Sequence, residues 1–149
     1  MLSQPKFKNY CLILALAISH SSIYLIGRFP NNFDVGADGT LWMGTRRNVY
    51  GQGGGYVFSY DGTNWTNEEN LNTASRVEIS CSQQDAGKIY ALVQDRSVSP
   101  SKPKIFRTDD GFTTVNTLPL PNDADTGIAA DDFTRGQSFY DLLLGVDPL

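Results

Sequence analysis

Histidine, cysteine and glutamate are scarce in this chain, and each shortage removes a class of chemistry. The one histidine, His20, stands in Ile18-Ser19-His20-Ser21-Ser22 with no second His and no Cys beside it. A zinc centre or a histidine general base would need ligands that the sequence does not cluster. Cys11 and Cys81 allow one disulfide and have no metal-ligand spacing. Only three Glu stand against thirteen Asp, and Asp favours turns and caps where Glu favours helices. Windows with apolar positions at helical spacing and proper caps are absent as well, so the balance points to a loop-rich β protein. The apolar run Cys11–Ile18 has eight residues, far fewer than the ~20 that a transmembrane helix needs.

What is present is globular. The 149 residues are 40% hydrophobic and 19% charged, which suits one domain and excludes a disordered chain, a coiled coil and a disulfide-dense mini-protein. Net charge is 12 − 16 = −4, so no global attraction to nucleic acid or to an anionic membrane is expected. Charge is uneven: residues 1–108 sum to +3 and residues 109–149 to −7. The N-terminus reads in two ways. Lys6 and Lys8 before the 11–18 run, with Ala17 and Ser19 as small residues before a cleavage point, outline a signal peptide; eight apolar residues also suit a buried strand.

Short runs rich in Val, Ile, Tyr, Phe and Thr recur between clusters of Gly, Asn, Asp and Pro. They predict strands at Ser22–Arg28, Thr40–Thr45, Gly55–Tyr60, Asn64–Asn67, Arg76–Cys81, Lys88–Gln94, Lys104–Thr108, Thr113–Leu118 and Tyr140–Val146. The sequence also repeats itself. Leu41-Trp42-Met43-Gly44-Thr45 leads into Gly55–Trp65, and Ile89-Tyr90-Ala91-Leu92-Val93 leads into Lys104–Thr114. Trp42 to Asp61 and Tyr90 to Asp109 are both 19 positions, and Asp61 to Asp109 is 48. A four-stranded propeller blade takes about 40–50 residues. The fold class expected is therefore all-β, with antiparallel four-stranded blades of a partial β-propeller. The expected division is 1–20 as signal peptide or inner strand, 21–70 and 71–118 as blades, 119–139 as an acidic loop, and 140–149 as the first strand of a further blade. Two units cannot close a ring of at least about four blades, so the remaining blades of a longer chain are expected partners.

Two segments resemble the Asp-box of sialidase-type (BNR) propellers: Ser59-Tyr60-Asp61-Gly62-Thr63-Asn64-Trp65 and Arg107-Thr108-Asp109-Asp110-Gly111-Phe112-Thr113-Thr114. The resemblance assigns Ser59, Asp61, Gly62, Trp65, Asp109, Gly111 and Thr113 to structural turns. Asp takes backbone N–H groups, Gly takes the positive φ, and the terminal aromatic packs between blades. The first copy is one residue short between Asp61 and Gly62; the second has Arg107 for Ser and Thr114 for Trp. The tail from Asp131-Asp132-Phe133-Thr134-Arg135-Gly136-Gln137 to Gly145-Val146-Asp147-Pro148 resembles a segment of large secreted BNR propellers exported by type IX secretion. Secretion or cell-surface display is what that resemblance implies.

Four residues of the tail, Arg135, Gln137, Tyr140 and Asp141, form a candidate binding face. Asp123, Asp125, Asp131 and Asp132 offer the oxygen ligands that calcium favours, although the loop fails the EF-hand pattern. No other cofactor is implied. Gly51, Gly53, Gly54 and Gly55 read as a hairpin loop, because no Lys-Ser/Thr follows and no helix begins. Asn64-Trp65-Thr66 matches a glycosylation sequon.

Two functions follow. One is a non-catalytic secreted module that binds carbohydrate or a surface protein. The alternative is part of a glycoside hydrolase of sialidase or xyloglucanase type, whose carboxylate pair would draw on Asp141 or Asp34 and a partner in another blade. Along the sequence Arg28, Arg46, Arg47, Arg76, Arg96, Arg107 and Arg135 are scattered rather than clustered. A small complete β domain is a third architecture, which would pair the 11–18 run with Leu142–Val146.

Overall fold

The computed structural model describes residues 27–121, 127, 131–140 and 142–147. Eight antiparallel strands form two four-stranded blades, and no helix occurs among the described residues. The first blade contains β1 (Phe29–Val35), β2 (Leu41–Arg46), β3 (Tyr56–Tyr60) and β4 (Trp65–Asn70). The second contains β5 (Ala74–Cys81), β6 (Ile89–Asp95), β7 (Lys102–Thr108) and β8 (Asn116–Leu118). Each strand pairs with the next within its blade. Between blades the ladder narrows to one pair, Arg46 opposite Arg76. The chain is thus all-β, with the arrangement of a partial β-propeller.

Alternation along the strands builds two cores. Trp42 and Val57 turn toward the second blade and meet Ala74, Val77, Ile79, Cys81, Ile89, Ala91, Val93 and Phe112. Leu41, Met43, Phe58, Tyr60 and Trp65 turn the other way and pack with Phe33, Val35 and Tyr56. Gly44 is required where the blades touch, since a Cβ there would stand 2.3 Å from the Val77 carbonyl oxygen. Cys81 is a free thiol inside the inter-blade core; burial pushes its pKa up. Cys11 and His20 lie outside the described residues.

The first strand departs from expectation. Of the predicted Ser22–Arg28 strand, residues 22–26 lie outside the described residues, and Gly27 and Arg28 precede the actual strand at Phe29–Val35. Pro30, Asn31, Asn32 and Asp34 read as turn chemistry, but the side chains of Asn31, Asn32 and Asp34 are used across the blade junction. Asn32 donates to Ile79 O (2.8 Å) and accepts from Ile79 N–H (2.9 Å). Asn31 donates to Val77 O at 2.9 Å, and Asp34 accepts from Cys81 N–H at 2.7 Å.

The two hairpin turns lie at one end of the blades. Asp61 Oδ1 accepts from the N–H groups of Thr63 (2.7 Å) and Asn64 (2.8 Å), with Gly62 at φ 100°. In the second turn the equivalent carboxylate belongs to Asp110, which accepts from Thr114 N–H and from the hydroxyls of Thr114 and Thr108. Asp109 instead pairs with Arg107 at 2.6 Å on the surface. Placed this way, the acid directly precedes glycine in both copies, and Asp109 is an additional residue between the end of β7 and the turn. Thr113 donates to Asp110 O, and with Thr114 it belongs to the turn rather than to β8. Ser59 bonds Glu68 across the β3–β4 hairpin. Phe112 of the second turn fills the inter-blade core against Trp42, centroids 5.7 Å apart, whereas Trp65 packs within the first blade against Tyr60.

Tyr140–Val146 is not a strand as described. Tyr140 ends a series of turns, Asp141 lies outside the described residues, and 142–147 carries no ladder pairing. Leu142 is nevertheless buried, and Val146 N–H donates to Ser80 of β5 at 3.1 Å.

Candidate functional site

Antiparallel pairing puts the end of each blade's second strand beside the start of the next blade's first strand. Arg46 ends β2, Arg76 faces it on β5, Gln94 faces Arg76 on β6, and Arg96 follows β6. These positions lie at the end of the blades opposite the Asp61 and Asp110 turns. Together with Arg47 and Asn31 they surround a cavity of about 390 Å³, with Ser75 between them and Phe139 and Tyr140 on its wall. Four of the seven arginines that are scattered along the sequence thus converge.

Their charges are not equivalent. Arg76 is held by Glu78 at 2.5 Å, and Glu78 also accepts from Asn31 at 2.6 Å. Arg46, Arg47 and Arg96 have no ion pair among the described residues. Elsewhere, Arg28 stacks on Tyr56, its guanidinium carbon 3.7 Å from the ring centre, and Arg107 is occupied by Asp109.

The aromatic wall is positioned by a chain of turns. Asp132 is buried and accepts from Thr134 N–H (3.1 Å) and Gly136 N–H (2.9 Å), with Arg135 at φ 54° completing the bend. Fully buried Ser138 donates to Ser101 O at 3.3 Å. Gln94 in turn donates to the Ser101 hydroxyl at 2.8 Å and accepts from the Ser75 hydroxyl. Asp131 pairs with Lys102, whose ammonium lowers the Asp131 pKa. Arg76 then donates to Phe139 O at 3.3 Å. Phe139 and Tyr140 meet edge-on at 4.3 Å, both more than half exposed. A second hollow of about 370 Å³ adjoins, lined by Phe29, Arg46, Arg47, Asn48, Val49 and Tyr50.

Of the candidate binding residues, Tyr140 lines the cavity; Arg135 and Gln137 belong to the turns behind it and do not. Asp141 is outside the described residues. Of the candidate calcium ligands, Asp123 and Asp125 also lie outside, while Asp131 and Asp132 are committed to Lys102 and to the turn. Among the described residues, no group of three or more His, Cys, Asp or Glu could hold a metal. Asp34 is committed to the blade junction through Cys81 N–H. The arginine cluster had one visible signal: Arg47 and Arg96 are 49 positions apart, close to the repeat length, which places them at like positions in successive blades.

No protein-family model matches this chain, and no curated protein matches it either. Among solved structures it is similar to the GH74 enzyme of Niastella koreensis, at 14% identity and a TM-score of 0.45. The likeness covers 59% of this chain and 14% of that enzyme, so the two-blade arrangement rests on the strand pairing described above.

Proposed function

We propose that this chain is part of a secreted or cell-surface β-propeller of the BNR kind that binds carbohydrate without transforming it. The observation that carries the reading is the cavity at the blade ends: guanidinium donors from Arg46, Arg47 and Arg96 beside the exposed rings of Phe139 and Tyr140. Sugars need this combination, because their hydroxyls seek directional donors and acceptors while their C–H faces pack on aromatic rings. The carboxylates closing the turns at Asp61 and Asp110 support the Asp-box reading, and the remaining blades of a ring are the expected partners.

The test is affinity electrophoresis of the full chain through gels carrying immobilised plant, algal and bacterial polysaccharides. Retardation that a Phe139→Ala/Tyr140→Ala double variant loses supports the reading. Migration unaffected by every glycan overturns it. Turnover of a fluorogenic glycoside, abolished in Asp141→Asn, would replace it with the hydrolase reading.

A further inference from the structure

The two hollows at the blade ends share Arg46 and Arg47 as a common wall. They differ in character: Phe29, Val49 and Tyr50 line one, while Arg76, Arg96 and Gln94 contribute to the other. Val49 and Tyr50 are 93% and 84% exposed on the β2–β3 loop, so this wall stands open at the side. Arg46 and Arg96 are exposed and Arg47 half-buried; none has a carboxylate partner among the described residues. No Asp or Glu lines either hollow as described. In a chain of net charge −4 this is a local concentration of unneutralised positive charge.

We propose that the two hollows form one trough for a linear polysaccharide bearing carboxylates or sulfates, with more than one sugar unit engaged at once. The inference rests on the carbohydrate reading above and specifies its ligand. Guanidinium groups bind carboxylate and sulfate oxygens through paired N–H donors and lose less hydration than ammonium groups do. Unpaired arginines grouped on one wall therefore select anionic over neutral sugars. Shared walls mean that the charged units lie across Arg46 and Arg47, while Tyr50 on one side and Tyr140 on the other offer ring faces to neighbouring units. A single sugar fills only one hollow; a polymer fills both.

Binding of the full chain is measured by calorimetry at low and moderate salt. The probes are polygalacturonate for carboxylates, dextran sulfate for sulfates, dextran as the neutral polymer, galacturonic acid as the single unit and polyuridylate as a nucleic acid. The expected result is at least about tenfold tighter binding of one or both anionic polysaccharides than of dextran, weakening with salt, and the preferred probe identifies the anion. Arg46→Gln/Arg47→Gln reduces that affinity about tenfold and weakens dextran binding by a much smaller factor, since the amide keeps neutral donors but loses the charge. Tyr50→Ala weakens polymer binding severalfold and that of galacturonic acid by a smaller factor. Unchanged near-ultraviolet circular dichroism confirms that the variants fold. Equal affinity for dextran and the charged polymers overturns the anionic ligand and leaves the carbohydrate reading standing. Equal affinity for galacturonic acid and its polymer overturns the trough. Polyuridylate binding as tightly as the polysaccharides overturns the choice of a sugar ligand. Binding of none of these probes overturns this inference, and the carbohydrate reading then stands or falls on the wider glycan panel.

Discussion

At the scale of single residues, the neighbouring acids Asp109 and Asp110 have opposite roles. Backbone and hydroxyl donors of Thr114 and the hydroxyl of Thr108 lower the Asp110 pKa, and the N–H groups of Asn64 and Thr63 lower that of Asp61. Asp61→Ala and Asp110→Ala should therefore each lower the urea midpoint. Asp109→Ala should leave it in place, because an exposed pair with Arg107 contributes little. Phe112 presents a different balance. It is buried in the inter-blade core yet sits at φ 70°, a conformation that costs a side-chain-bearing residue about 1–2 kcal/mol. Phe112→Ala opens a cavity and keeps that strain, for a loss of about 3–4 kcal/mol; Phe112→Gly opens the same cavity and relieves it. The glycine variant should be the more stable of the two by equilibrium denaturation, the reverse of what side-chain volume alone predicts. Asp95 is 1% exposed. Burial works to raise its pKa, but the ammonium of Lys104 at 2.6 Å, the hydroxyls of Ser97 and Thr73, and Ser97 N–H together hold it below the usual carboxylate range. A lowered folded value means that the stabilisation is complete above the unfolded value of about 3.9 and is lost as the pH falls from there toward the folded value. Asp95→Asn should cost about 2 kcal/mol at pH 7 and flatten the acid limb of a stability–pH profile.

At the scale of strands, most of this fold was legible from short runs rich in Val, Ile, Tyr, Phe and Thr and from the 48-residue repeat. The predicted segments over β2 to β7 overlap the observed strands, of which β2, β3, β5 and β6 are buried along nearly their whole length. The exceptions share a cause. In β1, Asn and Asp read as chain breakers since local patterning cannot reveal a bonding partner 46–47 residues away. In β8, Thr113 and Thr114 look β-forming but are captured by Asp110. The arginine cavity was hidden for a related reason: register decides which strand ends meet, and composition carries no register. The close approach of the blades can be tested at Gly44. A methyl group there meets backbone rather than a yielding side-chain tip, as does one at Gly54, which would stand 2.4 Å from Ser75 O. Gly44→Ala and Gly54→Ala should each cost about 3 kcal/mol or more in thermal denaturation, whereas Gly145→Ala, with nothing within 4 Å of its added carbon, should be nearly neutral.

At the scale of the whole molecule, the joint between blades is made mainly by side chains. Among the described residues, ladder pairing across it is limited to Arg46 and Arg76, with Arg47 N–H donating to Ser75 O at 2.8 Å. The rest of the seam runs from Asn31, Asn32 and Asp34 of β1 to backbone groups of β5, and Gln83 donates back to Val35 O at 2.8 Å. The same device recurs one blade on. Ser80 stands on β5 where Asp34 stands on β1, opposite Tyr90 and Trp42 respectively, and it accepts from Val146 N–H. Segment 142–147 therefore approaches β5 much as β5 approaches β1, across a face where Tyr90, Ile105 and Leu118 border a hollow. A seam of this kind makes cooperativity depend on few atoms. Asn32 alone satisfies both the N–H and the C=O of Ile79, a residue only 2% exposed. Asn32→Ala strands both groups and should cost about 2–3 kcal/mol. It should also uncouple the blades. Both tryptophans lie in the first blade, Trp65 within it and Trp42 against Phe112 of the second, so fluorescence follows the first blade and its joint while far-ultraviolet circular dichroism follows both blades. In the unaltered chain the two urea transitions should coincide, as two-state unfolding requires; in Asn32→Ala they should separate. Coincident transitions in the variant would assign the coupling to the apolar contact of Trp42, Val77, Ile79 and Phe112 instead of to the polar seam.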